Sequence, residues 1–458
     1  MSNYAANPLE TAPVHRLILQ YSVPTALTLM VSYIYNIVDQ IFVGQGVGIG
    51  GMAAVNVAFP LTILTNALAL MLGDGCAAKI SLSLGGKNQD EADRALSGTV
   101  TILLTCGLAM GLLCGLLAPW IVRLFGSTDS AYADAVAYMR VIAWGIPFQM
   151  LSPALTAVIR ADGRPRYSMC CMIAGASINL ILDPIFIFPL NMGVTGAGIA
   201  TVIGQTASGL LFLRYLTRPQ TVHLRRAYMV PTWGPSIQIL ALGFPSLLTQ
   251  TMTALVQIVM NNLMRIYGAS SVYGSDTALS VYGMIVKVYQ ISHSMFVGVS
   301  SATQPINGYN YGAKHFRRVR ETYTLAAKIA LAVSAGWFII FQVFPRQIGG
   351  LFVAENALYT SCAAHCFRLY MAAFFLYGLH MTTASFFQAT GNPGKALLIP
   401  LARQGVFMIP LALLLSARYG LDGALAAAPI ADTASFLLSV YLVWTEFRKW
   451  ERKGLLKG

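Results

Sequence analysis

Residues 17–43 read LILQYSVPTALTLMVSYIYNIVDQIFV, an apolar run with one charged residue, Asp39. An α-helix needs ~20 apolar residues to cross the ~30 Å hydrocarbon core of a bilayer, so this run is long enough to span a membrane. Within a helix the backbone N–H and C=O groups hydrogen-bond to each other, and lipid offers them no alternative partners. The run therefore favours an α-helical membrane protein.

Similar runs recur along the whole chain. The chain is 56% hydrophobic and 10% charged, whereas a soluble domain has roughly 25% charged residues. We therefore expect an all-α integral membrane protein with about twelve transmembrane helices. The twelve runs lie near residues 17–43, 52–82, 96–118, 134–160, 167–189, 194–216, 236–264, 277–302, 319–344, 358–387, 395–416 and 422–446.

The net charge of +13 does not indicate a nucleic-acid-binding protein, because the basic residues recur in short loops between the apolar runs. With twelve spans, 20 basic residues fall on one side of the membrane and 6 on the other. Cytoplasmic loops are the lysine- and arginine-rich ones. We predict a multi-pass protein of the bacterial plasma (inner) membrane with both termini cytoplasmic. The six residues expected outside are Arg123, Arg140, Arg265, Arg346, Arg368 and Arg418.

Short sets of residues recur at a spacing of about 227 residues. Examples are Lys87 with Lys314, Gly163 with Gly391, Gly193 with Gly420, and Thr206-Ala207-Ser208 with Thr433-Ala434-Ser435. Six helices per repeat predict two lobes of the same topology, related by pseudo-two-fold symmetry along the membrane normal. The expected segments are a cytoplasmic N-terminal segment, an N-terminal lobe, a cytoplasmic linker, a C-terminal lobe and a basic tail, at 1–16, 17–217, 218–235, 236–446 and 447–458.

Two carboxylates lie inside apolar runs of the expected N-terminal lobe. A carboxylate at mid-membrane costs roughly 2.5–3.5 kcal/mol on insertion scales, so Asp39 and Asp183 are functional candidates by default. Both lie toward the outer half of their runs, and Asn179 is one helical turn from Asp183 on the same face. We predict that Asp39, Asn179 and Asp183 form a coupling-ion site for a proton or a sodium ion. We expect no other metal site and no cofactor.

The expected C-terminal lobe has a different set of buried charges. Asp432 lies near the middle of the last run, while Lys287 and Arg403 lie inside two others. Two cations and one acid predict a structural charge cluster, because buried charges are normally paired.

Several motifs resemble the multidrug and toxic compound extrusion family, and within it the MepA-type bacterial branch. They are Ser22-Val-Pro-Thr, Asn36-Ile-Val-Asp39, Asn179-Leu-Ile-Leu-Asp183-Pro184, Ala302-Thr-Gln-Pro305 continuing to Gly308-Tyr-Asn-Tyr-Gly312-Ala-Lys314, and Phe387-Gln-Ala-Thr-Gly391. The resemblance covers nearly the whole chain. It implies two six-helix lobes and export of organic cations in exchange for inward H⁺ or Na⁺.

The resemblance also implies roles for individual residues. The family couples ions through an aspartate on the first helix and an aspartate one turn after an asparagine on the fifth, which match Asp39, Asp183 and Asn179. Members thought to bind sodium in the C-terminal lobe have an acid on the seventh helix, where this chain has Gln257. A sodium site in that lobe is therefore not expected.

Other functions agree less well with the sequence. No G-x-x-x-x-G-K-[ST] motif is present, which argues against ATP-driven transport within this chain. No cluster of metal-ligating residues occurs in the cytoplasmic loops, so we do not expect an enzyme. A flippase for lipid-linked saccharides, from the wider superfamily, is the alternative. The expected partners are small organic cations and the lipid bilayer, with no nucleic acid, and the protein is expected to be a monomer.

Overall fold

The computed structural model describes residues 8–47, 49–125, 132–352 and 357–456. No strand occurs in these ranges, so the all-α class predicted from the sequence is confirmed. The α-helices, numbered α1 to α16 in chain order, are Pro8–Thr11, Val14–Gly46, Ile49–Gly85, Gln89–Leu116, Ala118–Leu124, Tyr132–Ala161, Pro165–Ile187, Gly193–Tyr215, Trp233–Ala269, Ser275–Gly312, Phe316–Val343, Pro345–Phe352, Ala357–Tyr370, Tyr377–Ala389, Pro393–Pro400 and Ile409–Arg452.

Three shorter helical segments complete the fold. Two are 3₁₀ turns, at Arg226–Tyr228 and Phe374–Leu376. The third, Leu401–Met408, is a π-helix that joins α15 to α16. Segments of π-helix are rare and occur frequently at functional sites.

Nine helical stretches within the described residues are long and apolar enough to cross a membrane. A further pair, Ala357–Tyr370 and Phe374–Ala389, would be one span bent by 46°. The last of the nine, Pro393–Arg452, covers two of the runs predicted from sequence. α10 covers the predicted run 277–302 but is less apolar. The number of twelve spans therefore stays a prediction.

The backbone shows the internal repeat directly. Six of the nine residues with positive φ in the described ranges form matched pairs: Lys87 (58°) with Lys314 (62°), Gly163 (91°) with Gly391 (73°), and Gly193 (58°) with Gly420 (62°). Positive φ is readily adopted by glycine and costs other residues energy. At Gly420, with ψ −134°, the chain departs from helical geometry inside α16 and separates its two halves.

The chain forms two compact units. We call residues 23–247 the N-terminal unit, and residues 1–22 with 248–458 the C-terminal unit. The divisions fall inside α2 and α9. The N-terminal unit includes the whole of the expected linker, 218–235. The buried carboxylate of Asp162 accepts hydrogen bonds from the Tyr215 hydroxyl (2.5 Å) and from the backbone N–H of Thr221 in that linker (2.7 Å). The lobe boundaries given by the sequence remain a prediction.

Candidate ion-coupling site

Asn179 and Asp183 lie on α7 and are 2% and 0% exposed. The Asn179 amide donates a hydrogen bond to Asp183 Oδ1 over 3.3 Å. The same amide donates to Thr201 Oγ1 on α8, also over 3.3 Å. The pairing that the one-turn spacing predicted therefore occurs, and a third side chain from the neighbouring helix joins it.

The two hydrogen bonds fix the orientation of the Asn179 amide. Because its N–H₂ group is used by Asp183 and Thr201, the carbonyl oxygen Oδ1 points elsewhere. This oxygen is buried and accepts no hydrogen bond within the described part of the chain. A buried acceptor without a partner costs ~1–3 kcal/mol, which a water molecule or a cation would recover.

Two glycines bring α7 and α8 close enough for these contacts. A Cβ atom added at Gly204 would lie 2.7 Å from the backbone oxygen of Gly175 and 2.9 Å from Asn179 Cβ. A Cβ added at Gly175 would lie 2.7 Å from the backbone oxygen of Gly204. Small residues of this kind let membrane helices approach closely. The site is therefore held on two tightly packed helices.

The third residue predicted for this site, Asp39, is part of α2, but its side chain lies outside the described residues. Its participation remains a prediction.

Pro184 follows Asp183 inside α7. Because proline has no N–H, the carbonyl of Leu180 lacks its usual helical donor.

A further buried acid in the N-terminal unit was not singled out from the sequence. Asp74 on α3 accepts a hydrogen bond from the Ser246 hydroxyl of α9 over 2.7 Å. It also interacts electrostatically with Arg160, which is 7% exposed at the end of α6. The sequence did contain a signal for this residue, because Asp74 is an acid inside the predicted apolar run 52–82.

The C-terminal unit contains a buried ion pair. Arg403 Nε lies 2.7 Å from Asp432 Oδ1, and the two side chains are 13% and 4% exposed. The Arg403 guanidinium also stacks on the ring of Tyr377, 4.7 Å from its centroid. Arg403 belongs to the π-helix and Asp432 to α16, so the pair joins two positions that are 29 residues apart in sequence.

Lys287, the third residue of the predicted charge cluster, is not part of this pair. Its side chain on α10 is exposed, and no ion pair joins it to Asp432 among the described residues. The sequence placed Lys287 inside an apolar run but could not show which face of the helix carries it. A long lysine side chain at a helix surface can keep its charge in a polar layer.

The two charge arrangements suit different chemistry. Asp432 is paired with the Arg403 guanidinium, and Asp183 accepts a hydrogen bond from the Asn179 amide. No group of three or more histidine, cysteine or acidic side chains that could hold a metal ion occurs in the described ranges. The Asn179–Asp183 pair offers one carboxylate and one amide oxygen, and such groups can bind a proton or a monovalent cation.

The comparisons with known proteins agree with one another. The family model described as MatE matches residues 24–185 and 245–414. The multidrug export protein MepA of Staphylococcus aureus (strain N315) is 25% identical over 436 residues, 95% of this chain and 94% of that protein.

Solved structures agree over similar lengths. The MATE multidrug transporter DinF-BH is 34% identical, with a TM-score of 0.85 over 94% of this chain and 95% of that one. A multidrug resistance MATE family transporter of the MOP superfamily in an outward-facing conformation is 24% identical, with a TM-score of 0.87 over 96% and 97%. At 24% identity, the similarity to this second structure shows a shared fold alone.

Proposed function

Because the chain belongs to the MatE family, we propose that it is a secondary active antiporter that exports amphipathic, mostly cationic organic compounds in exchange for inward H⁺ or Na⁺ by alternating access. The family membership confirms the resemblance predicted from the sequence and the class of all-α membrane transporter. Its relatives include a multidrug export protein and a multidrug transporter, which supports the multidrug substrate class.

The observation that carries the antiport proposal is the buried Asn179–Asp183 pair. Burial makes the charged form of a carboxylate costly. A proton or a cation entering the site lowers that cost, and an organic cation can compete for the same negative charge. Exchange follows if ion and substrate occupy the transporter in alternation. We propose Asp39 as a second carboxylate of this site.

Efflux of a cationic dye tests the proposed activity. Expression in a bacterium that lacks its own pumps should lower ethidium accumulation relative to cells carrying the empty vector. In proteoliposomes, H⁺ and Na⁺ gradients imposed separately will identify the coupling ion, because only its gradient should drive uphill dye transport. Unchanged accumulation with verified membrane insertion would reject this substrate class, and translocation of a lipid-linked saccharide instead would favour the flippase alternative.

We also propose that both termini are cytoplasmic, from the excess of basic residues in alternate loops. A membrane-impermeant thiol reagent added to intact cells should label Val272→Cys and miss Lys453→Cys. Val272 is 85% exposed and Lys453 is exposed, so both cysteines should be reactive once reached. The background variant carries serine at the exposed Cys106 and Cys170. The opposite labelling pattern would reverse the proposed orientation.

A further inference from the structure

An open cavity of about 440 Å³ lies on the C-terminal unit, beside α12 and α13. Its residues come from the loop between α9 and α10, from the start of α12 and from one face of α13. The lining side chains are Tyr273, Arg346, Ser361, Ala364, His365, Arg368 and Leu369. None of these described lining residues carries a carboxylate.

Two of the polar residues are held in place by contacts outside the cavity. His365 Nε2 lies 2.6 Å from Asp422 Oδ1 on α16, and the His365 ring packs against Tyr273 with centroids 6.1 Å apart. Arg368 Nε donates to the backbone oxygen of Gln342, while the Gln342 amide donates to the backbone oxygen of Arg368 (3.1 Å). The Asp422 carboxylate is engaged by the histidine and does not line the cavity.

Arg346 supplies the second guanidinium of the cavity. Its side chain is exposed, and no ion pair involving Arg346 occurs among the described residues. Guanidinium groups carry only donors, in a planar arrangement that matches carboxylate and phosphate oxygens. The two arginines therefore present only donors to this space. The Ser361 and Tyr273 hydroxyls beside them hydrogen-bond to each other.

The position of these arginines is also unusual for a membrane protein. Arg346 and Arg368 are two of only six basic residues expected on the poorly charged side of the membrane. The positive-inside bias disfavours cations on that side. Two of the six nevertheless converge on one cavity, although they are separated in sequence and lie on different helices. Arginines that only extend their side chains from helix ends to the membrane surface would not need to lie beside each other.

We propose that this cavity binds a phosphate-bearing anion through Arg346 and Arg368. Inorganic phosphate would fill little of the space, and Ala364 and Leu369 add apolar surface. A phosphodiester in the headgroup of an anionic phospholipid fits both features. Binding of a phosphate group by the two arginines does not depend on the proposed transport activity. The proposed orientation would place the bound headgroup in the outer leaflet, and only that placement rests on it.

Binding to the purified full-length protein in a neutral detergent tests the proposal. The probes are dihexanoyl-phosphatidylglycerol, dihexanoyl-phosphatidylcholine and inorganic phosphate, each titrated by calorimetry. The phosphatidylglycerol should bind saturably, and Arg346→Gln with Arg368→Gln should weaken its binding at least about tenfold, or ~1.4 kcal/mol. Arg265→Gln, another exposed arginine expected on the same side, is the matched control and should leave binding unchanged.

Each outcome of this experiment decides the proposal. Arg346→Lys with Arg368→Lys keeps the charge and should retain part of the affinity, which separates the site from a folding defect. Preference for phosphatidylglycerol over phosphatidylcholine assigns the site to an anionic lipid, whereas equally tight phosphate that competes with it assigns the site to a free anion. Absence of saturable binding of any probe, or equal weakening by Arg265→Gln, would overturn the site. None of these binding results would support or contradict the proposed dye efflux.

Discussion

Replacing Asp183 by asparagine should reduce ion-driven dye transport to the level of empty liposomes while leaving the protein folded and inserted. Asp183 is fully buried and accepts a hydrogen bond from Asn179. The oxygen of an asparagine at this position can accept the same bond, so the packing of α7 against α8 should persist. The neutral amide resembles the protonated acid in shape, but it cannot release a proton or attract a cation.

The measurement is transport per folded protein in proteoliposomes, beside the unfolding temperature of the same preparation. Asp134→Asn is the matched control, because Asp134 belongs to the same unit but is exposed in the first turn of α6. This control should retain coupled transport. Full coupled transport by Asp183→Asn would remove the N-terminal site from the mechanism.

The contact between Asn179 and Asp183 could be predicted from the sequence because it is local. Asn179 and Asp183 are four residues apart, and helical geometry alone places such side chains next to each other. The contribution of Thr201 depends on how α7 packs on α8, which glycine contacts at Gly175 and Gly204 determine. No pattern within a single apolar run carries that information.

Contacts between distant segments were predicted less well. Charge balance required a partner for Asp432, and the sequence offered both Lys287 and Arg403. The structure selects Arg403, because the π-helix directs it toward α16 while Lys287 lies on an exposed face of α10. Hydropathy reports that a residue lies in a span but not which way it faces. For the same reason, the electrostatic interaction of Asp74 with Arg160 was not predicted.

Asp432→Asn should destabilise the protein, in contrast to Asp183→Asn. The substitution leaves the Arg403 guanidinium buried without its counter-charge, a change that typically costs about 3–5 kcal/mol. Contact with the ring of Tyr377 does not replace a carboxylate at 2.7 Å. We expect a lower yield of folded protein and a lower unfolding temperature in detergent. Lys287→Met, which removes a charge outside the pair, should leave both unchanged.

A double variant separates the loss of the pair from the loss of a functional acid. Arg403→Met with Asp432→Leu removes both charges, and replacing a whole buried ion pair by apolar residues is often neutral or stabilising. Its unfolding temperature should return to the wild-type value or exceed it, and transport driven by the coupling ion should persist, because Asp183 is intact. If Asp432→Asn were instead stable but uncoupled, and the double variant equally uncoupled, the acid that couples ion and substrate would lie in the C-terminal unit.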